Sequence, residues 1–190
     1  VNKDHMPSTI PGRQEWASLS GNLVLLPDQV HIWRSALFPP MVSIEVFWDL
    51  LSNDEQERAN SFRFMDHKVR FVTRRGILRT ILAKYLGCDS QAVVFQYSNY
   101  RKPGLASPFS DSEIQFNLSR ADGMTLYAFA HSRRLGVDIE RLNDEVDFLS
   151  LGDHYFSLAD RLALQDLAPH LRCRGFFQCW THKEAIFKAI

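Results

Sequence analysis

The sequence predicts a mixed α/β fold, α+β in character, of two similar halves on a pseudo-twofold axis, each running strand, helix, helix, strands. Three observations point there. Stretches of period two are interleaved with stretches of helical period from about residue 30 onward. The string Val30-His-Ile-Trp-Arg34 returns as Val137-Asp-Ile-Glu-Arg141. Each copy is followed about twenty residues on by a helix start, Leu51-Ser-Asn-Asp-Glu55 and then Phe156-Ser-Leu-Ala-Asp160. The reading divides the chain into an irregular arm at 1–22, an N-terminal half at 23–134 and a C-terminal half at 135–190. The second half is incomplete on this reading, because no strands follow its last helix. The start at Val1 and the uncapped helical end at Ile190 agree with an incomplete chain.

Each element has a local cause. The arm is polar and carries Pro7 and Pro11 without periodicity. Val30–Arg34 alternates as a strand does, and Pro39 and Pro40 break the chain after it. Ser52 and Glu55 form a capping box at the start of a helix. A longer helix runs from about Asp66 to Leu86, with Phe71, Leu78, Leu82 and Tyr85 as its apolar stripe and Gly87 as its cap. Val93–Tyr97, Ile114–Asn117 and Thr125–Ala130 read as strands, separated by loops at Pro103-Gly104 and Asp122-Gly123. Leu135–Arg141 reads as a further strand, and helix returns after Ser157 to end in Arg174–Ile190.

Composition narrows the function. A hydrophobic fraction of 45% with 12% aromatics excludes global disorder. Lys plus Arg and Asp plus Glu both count 22, so no net field favours nucleic acid or membrane. Cys88, Cys173 and Cys179 lack CxxC spacing, which argues against a disulfide framework and a zinc site. With no leader and no apolar run long enough to span a bilayer, the reading is a soluble cytoplasmic protein. P-loop, GxGxxG, GxSxG and HExxH strings are absent from the sequence.

Gly136-Val-Asp-Ile-Glu-Arg141 is the sharpest local feature. On a strand Asp138 and Glu140 share a face and repel unless a cation neutralises them; oxygen ligands suit Mg²⁺. Taken alone, the same string also describes a solvated strand face. In Trp180-Thr-His-Lys-Glu-Ala-Ile-Phe-Lys188, Glu184 and Lys188 share a helix face away from Cys179, Ile186, Phe187 and Ile190. Alone, this is also a surface pair worth about 0.3–0.5 kcal/mol. Trp180 reads as core. Tyr100-Arg-Lys-Pro103 and Phe116-Asn-Leu-Ser-Arg120 offer donors for phosphate. Lys68, Arg70, Arg74, Arg75 and Arg79 read mostly as solvated charge.

In order along the chain, YxKPxL, FNLS, GVDIE, FSxxD and WTHKEAxxK resemble the surfactin-type 4′-phosphopantetheinyl transferases from about residue 30 to the end. The resemblance implies two α/β halves binding coenzyme A across their interface, in a monomer that is a pseudo-dimer. It implies a transferase that moves 4′-phosphopantetheine from coenzyme A to a serine of an apo acyl or peptidyl carrier protein, releasing 3′,5′-ADP. Asp138, Glu140 and Glu184 would hold Mg²⁺, with Glu184 also taking the serine proton. Lys188 would contact the phosphates and steady the leaving group, and Arg58, Arg70, Lys102, Ser119 and Arg120 would contact the nucleotide phosphates. Three positions depart from the family pattern. Arg101 stands for glycine, Arg120 for histidine, and Glu55 for a lysine whose loss implies weaker coenzyme A binding. The family continues past this last helix, so its apolar stripe is expected to lack part of its cover. The rival reading is a coenzyme A or carrier-protein binding module with weakened catalysis.

Overall fold

A computed structural model describes residues 21, 23–38, 41–99, 102–145 and 147–190. The expected arm, the Pro39-Pro40 break, and Tyr100 and Arg101 of the phosphate-donor loop lie outside the described residues, apart from residue 21 of the arm.

The chain runs β1 (Val30–Ala36), α1 (Met41–Asp49), α2 (Asn53–Asn60), α3 (Met65–Leu86), β2 (Phe95–Tyr97), β3 (Pro103–Leu105), β4 (Ile114–Ala121), β5 (Met124–His131), α4 (Phe148–Tyr155), α5 (Leu158–Asp166) and α6 (Pro169–Ala189). The mixed α/β class is as expected. Strands β1, β5 and β4 form one antiparallel sheet in that order, with Trp33 opposite Tyr127 and Tyr127 opposite Leu118. The short strands β2 and β3 pair as a separate ribbon. Helix α3 lies on one face of the sheet. Leu78, Ile81 and Leu82 meet Phe116, Tyr127 and Phe129 there, each side chain worth about 1.5–3 kcal/mol of burial. Gly87 caps α3 at φ 64°, a left-handed turn that glycine enters without steric cost.

The inward face of β1 is polar-tipped. His31 and Trp33 turn in, and both reach the Tyr85 hydroxyl, at 2.7 and 3.0 Å. Val30 and Ile32 face outward. A second cluster of Leu51, Ala59, Phe71 and Val72 joins α2 to α3. A third, of Phe156, Leu164 and Phe176, joins α4, α5 and α6, and Trp180 stacks on Phe176 at 5.9 Å as a core residue should.

Leu135–Arg141, expected as a strand, pairs with none of the described strands and runs as an extended segment. The order segment, helix, helix, helix does recur in the second half. The strand that would complete the repeat has no ladder partner among the described residues.

Candidate active site

The segment at 135–141 is fixed from two sides. Asn117 Oδ1 on β4 accepts the buried Val137 backbone N–H at 3.0 Å. On the other side α6 closes on Gly136, where a Cβ would stand 1.8 Å from the Ala185 carbonyl oxygen and 2.9 Å from the Ala189 nitrogen. Only glycine permits that approach. The contact brings the two sharpest sequence features, GVDIE and the Glu184–Lys188 helix face, against each other.

Asp138 lies at their junction, with its side chain 3% exposed. Its Oδ1 accepts the Ser119 hydroxyl at 2.7 Å and the Lys188 ammonium at 2.5 Å. Lys188 Nζ also donates to Ser119 Oγ at 3.1 Å, closing a triangle. Asp138 Oδ2 is buried and accepts no hydrogen bond. Burial of this kind costs free energy unless the second oxygen meets a donor or a cation. Lys102 reaches the Lys188 carbonyl at 2.5 Å, and burial, aided by Arg134, pushes its ammonium pKa down.

Glu140 and Glu184 complete the acidic group. Burial pushes the Glu140 carboxyl above its ordinary range, and the charges of Asp138 and Glu184 add to this. The Trp180 indole donor and Lys188 oppose them. The four expected residues Asp138, Glu140, Glu184 and Lys188 therefore share one electrostatic neighbourhood. Among the described residues, no three His, Cys, Asp or Glu side chains group closely enough to hold a metal ion as they stand. The orphaned Asp138 oxygen and the mutually repelling carboxylates have the chemistry a hard divalent cation answers.

The expected phosphate donors fall into two groups. Ser119 and Arg120 are consecutive on β4, so the pleat sends them to opposite faces. Ser119 and Lys102 join Asp138 and Lys188. Arg120 turns toward α3, where it lines a cavity of about 280 Å³ with His67, Arg70 and Arg74. A neighbouring cavity of about 180 Å³ is lined by Arg58, Arg74, Arg75, Tyr97 and Leu118. A larger one, about 400 Å³ along β2 and β3, carries Lys102 as its one charged lining residue and holds no carboxylate.

Reading the α3 cations as solvated is wrong for three of them. Arg75 is 8% exposed and Arg79 1%. Arg74 is largely buried, and its pKa is lowered to about 10 by burial first, then by Arg120, Arg75 and Arg58. Glu55, expected to weaken ligand binding by replacing a basic residue, is buried at 2% and paired with Arg75 and Arg79. Helical spacing alone could not separate a cation facing a cavity from one facing water.

Among the described residues no helix is long and apolar enough to cross a membrane. The model of the 4′-phosphopantetheinyl transferase superfamily matches residues 134–190, and that of the 4′-phosphopantetheinyl transferase N-terminal region matches residues 38–132. The chain is 39% identical over 174 residues to the 4′-phosphopantetheinyl transferase HetI of a Nostoc species, covering 92% of this chain and 73% of that protein. It is 30% identical over 155 residues to the 4′-phosphopantetheinyl transferase gsp of Aneurinibacillus migulanus, covering 80% and 62%. A 4′-phosphopantetheinyl transferase of Bacillus subtilis is 25% identical over 139 residues, covering 73% and 59%. The chain thus spans about three-fifths to three-quarters of the length of these relatives. With both halves matched and an acidic, lysine-bearing centre set between them, this chain belongs to the 4′-phosphopantetheinyl transferase superfamily, a family of transferases.

Proposed function

We propose that the chain is a surfactin-type 4′-phosphopantetheinyl transferase that uses coenzyme A to prime the serine of an apo acyl or peptidyl carrier protein, releasing 3′,5′-ADP. The observation that carries this reading is Asp138, buried, held on one oxygen by Ser119 and Lys188 and unpartnered on the other, with Glu140 and Glu184 beside it. Coenzyme A has two separated anionic centres, and the chain offers two separated cationic ones. Lys188, Lys102 and Ser119 suit the pyrophosphate; Arg58, Arg70 and Arg120, on the other face of β4, suit the 3′-phosphate.

Asp138, Glu140 and Glu184 would hold Mg²⁺, which when bound neutralises the pyrophosphate and the charge growing on the leaving group. Glu184, directly or through a water, accepts the carrier serine proton as the serine oxygen bonds to the phosphorus bearing the pantetheine arm. The P–O bond to 3′,5′-ADP breaks, and the electron pair departs on the nucleotide phosphate. Lys188, held beside Asp138 and Ser119, donates to that oxygen. The free cysteines Cys88, Cys173 and Cys179 agree with action in the cytoplasm.

Incubating the chain with apo carriers, coenzyme A and Mg²⁺ tests the reading. Mass spectrometry should show a carrier heavier by one phosphopantetheine group, with 3′,5′-ADP released in equal amount. An unmodified panel of carriers would refute it.

A further inference from the structure

We infer that Glu55 is a positioning residue for the nucleotide end of coenzyme A: it aims Arg75, beside Arg74, into the cavity under Leu118 as ligands for the 3′-phosphate. The inference rests on the coenzyme A reading above.

The carboxylate of Glu55 divides its two oxygens. Oε2 accepts the Ser52 backbone N–H at 3.1 Å and Arg79 Nε at 2.7 Å. Each of the three Arg79 nitrogens is then engaged, because Nη1 donates to the Ser90, Gln91 and Val93 carbonyls and Nη2 to Ser52 Oγ. That half of the network holds the fold together. Oε1 lies 3.2 Å from Arg75 Nε, an ion pair without hydrogen-bond alignment.

Arg75 differs from Arg79 in having one edge left over. Nη2 donates to the Tyr97 hydroxyl at 2.8 Å, and the guanidinium lies 4.5 Å over the Phe95 ring. Nη1 is buried and donates to nothing. Arg74 Nη1 and Arg70 Nε are buried and unpartnered in the same way. Of the carboxylates nearby, Glu55 meets Arg75 only at Nε and is shared with Arg79, and Asp122 pairs with Arg141 at 3.3 Å. A buried guanidinium N–H without an acceptor is costly, and several like charges around one cavity add to that cost. A phosphate dianion answers both, and a fixed guanidinium fork suits it geometrically. Glu55 itself lines neither arginine cavity and is buried against Arg75 and Arg79. Glu55 therefore acts at one remove from such an anion, by holding an arginine from the neighbouring helix in place.

Calorimetric titration of the full chain with 3′,5′-ADP and with 5′-ADP separates the outcomes. The chain should bind 3′,5′-ADP the more tightly. Arg75→Met should weaken 3′,5′-ADP by about 10- to 150-fold, the range for a lost charge-assisted hydrogen bond, and leave 5′-ADP nearly unchanged. Glu55→Gln should move the same ratio, and the double variant should be no worse than Arg75→Met alone. Losses that add in the double variant, or that fall equally on both nucleotides, overturn the positioning role. Glu55→Gln also loosens Arg79 and the α2 start, so Tyr97→Phe is the second probe. It frees only the other anchor of Arg75, and should weaken 3′,5′-ADP several-fold at an unchanged melting temperature; no change there overturns the inference. If 3′,5′-ADP binds and Arg75→Met leaves it unaffected, this inference alone falls. If neither nucleotide binds the unaltered chain, the coenzyme A reading falls with it.

Discussion

Asp138 meets Ser119 and Lys188 on one oxygen and leaves the other bare, so charge rather than shape should govern its replacement. Asp138→Asn keeps the side-chain outline and removes the anion. It should lower kcat by at least about 10²-fold, the scale of a lost electrostatic stabiliser, with partial recovery as Mg²⁺ is raised. Carrier turnover across a Mg²⁺ titration checks this, and a near-unaltered rate would remove Asp138 from the chemistry. Arg120 belongs to the other centre. Arg120→Ala should raise KM for coenzyme A by about 10- to 150-fold and leave kcat close to its original value, since a bound phosphate far from the reacting atoms contributes uniformly. Steady-state kinetics decide between that and an equal loss in kcat. At this scale the sequence singled out Asp138, Glu140, Glu184 and Lys188 by their spacing, and the fold brings the four into one electrostatic neighbourhood. It misread Arg74, Arg75 and Arg79. Their burial depends on Glu55, Tyr97 and the carbonyls of 90–93, which no period along α3 reports.

Helix α6 carries Glu184 and Lys188, and its seat on Gly136 sets their distance from Asp138. Gly136→Ala must push backbone apart, not a flexible side-chain tip. A displacement near 1 Å can cost about 10²-fold in rate. The variant should therefore lose both melting temperature and turnover, whereas Gly87→Asn, at an open left-handed cap, should lose little of either. At its other side α6 is tied to α5 by Lys183 and Asp160, 2.9 Å apart. Hydrogen bonds from Lys183 and then Ser157 hold the Asp160 pKa at about 2, below its ordinary 3.8. A depressed carboxylate stabilises the fold above its unfolded pKa and ceases to as pH falls through the folded value. The melting-temperature gap between the unaltered chain and Asp160→Asn should be full above about pH 4 and close toward pH 2. A gap independent of pH would mean the tie is not ionic. The segment at 135–141 explains one misreading at this scale. Its alternation is real, but a ladder needs a partner backbone, and here Asn117 supplies a single side-chain oxygen instead.

Across the whole molecule, the mixed class and the extent of α3 were legible because periodicity and the Gly87 cap are local signals. The sheet order was not, since β1 pairs with β5 only after a chain of some ninety residues closes back on it. The two cationic neighbourhoods were likewise illegible as separate places: Ser119 and Arg120 are neighbours in sequence and read as one set of phosphate donors. In the fold β4 is a wall between them. Its pleat therefore acts as a sorting rule, Ser119 facing Asp138 and Lys188 while Leu118 and Arg120 face the arginines of α3. One residue inserted or deleted between Phe116 and Arg120 would reverse the sorting, delivering a cation to the lysine side and a hydroxyl to the arginines. Substitutions can tune either side separately, but this five-residue stretch has no freedom of length.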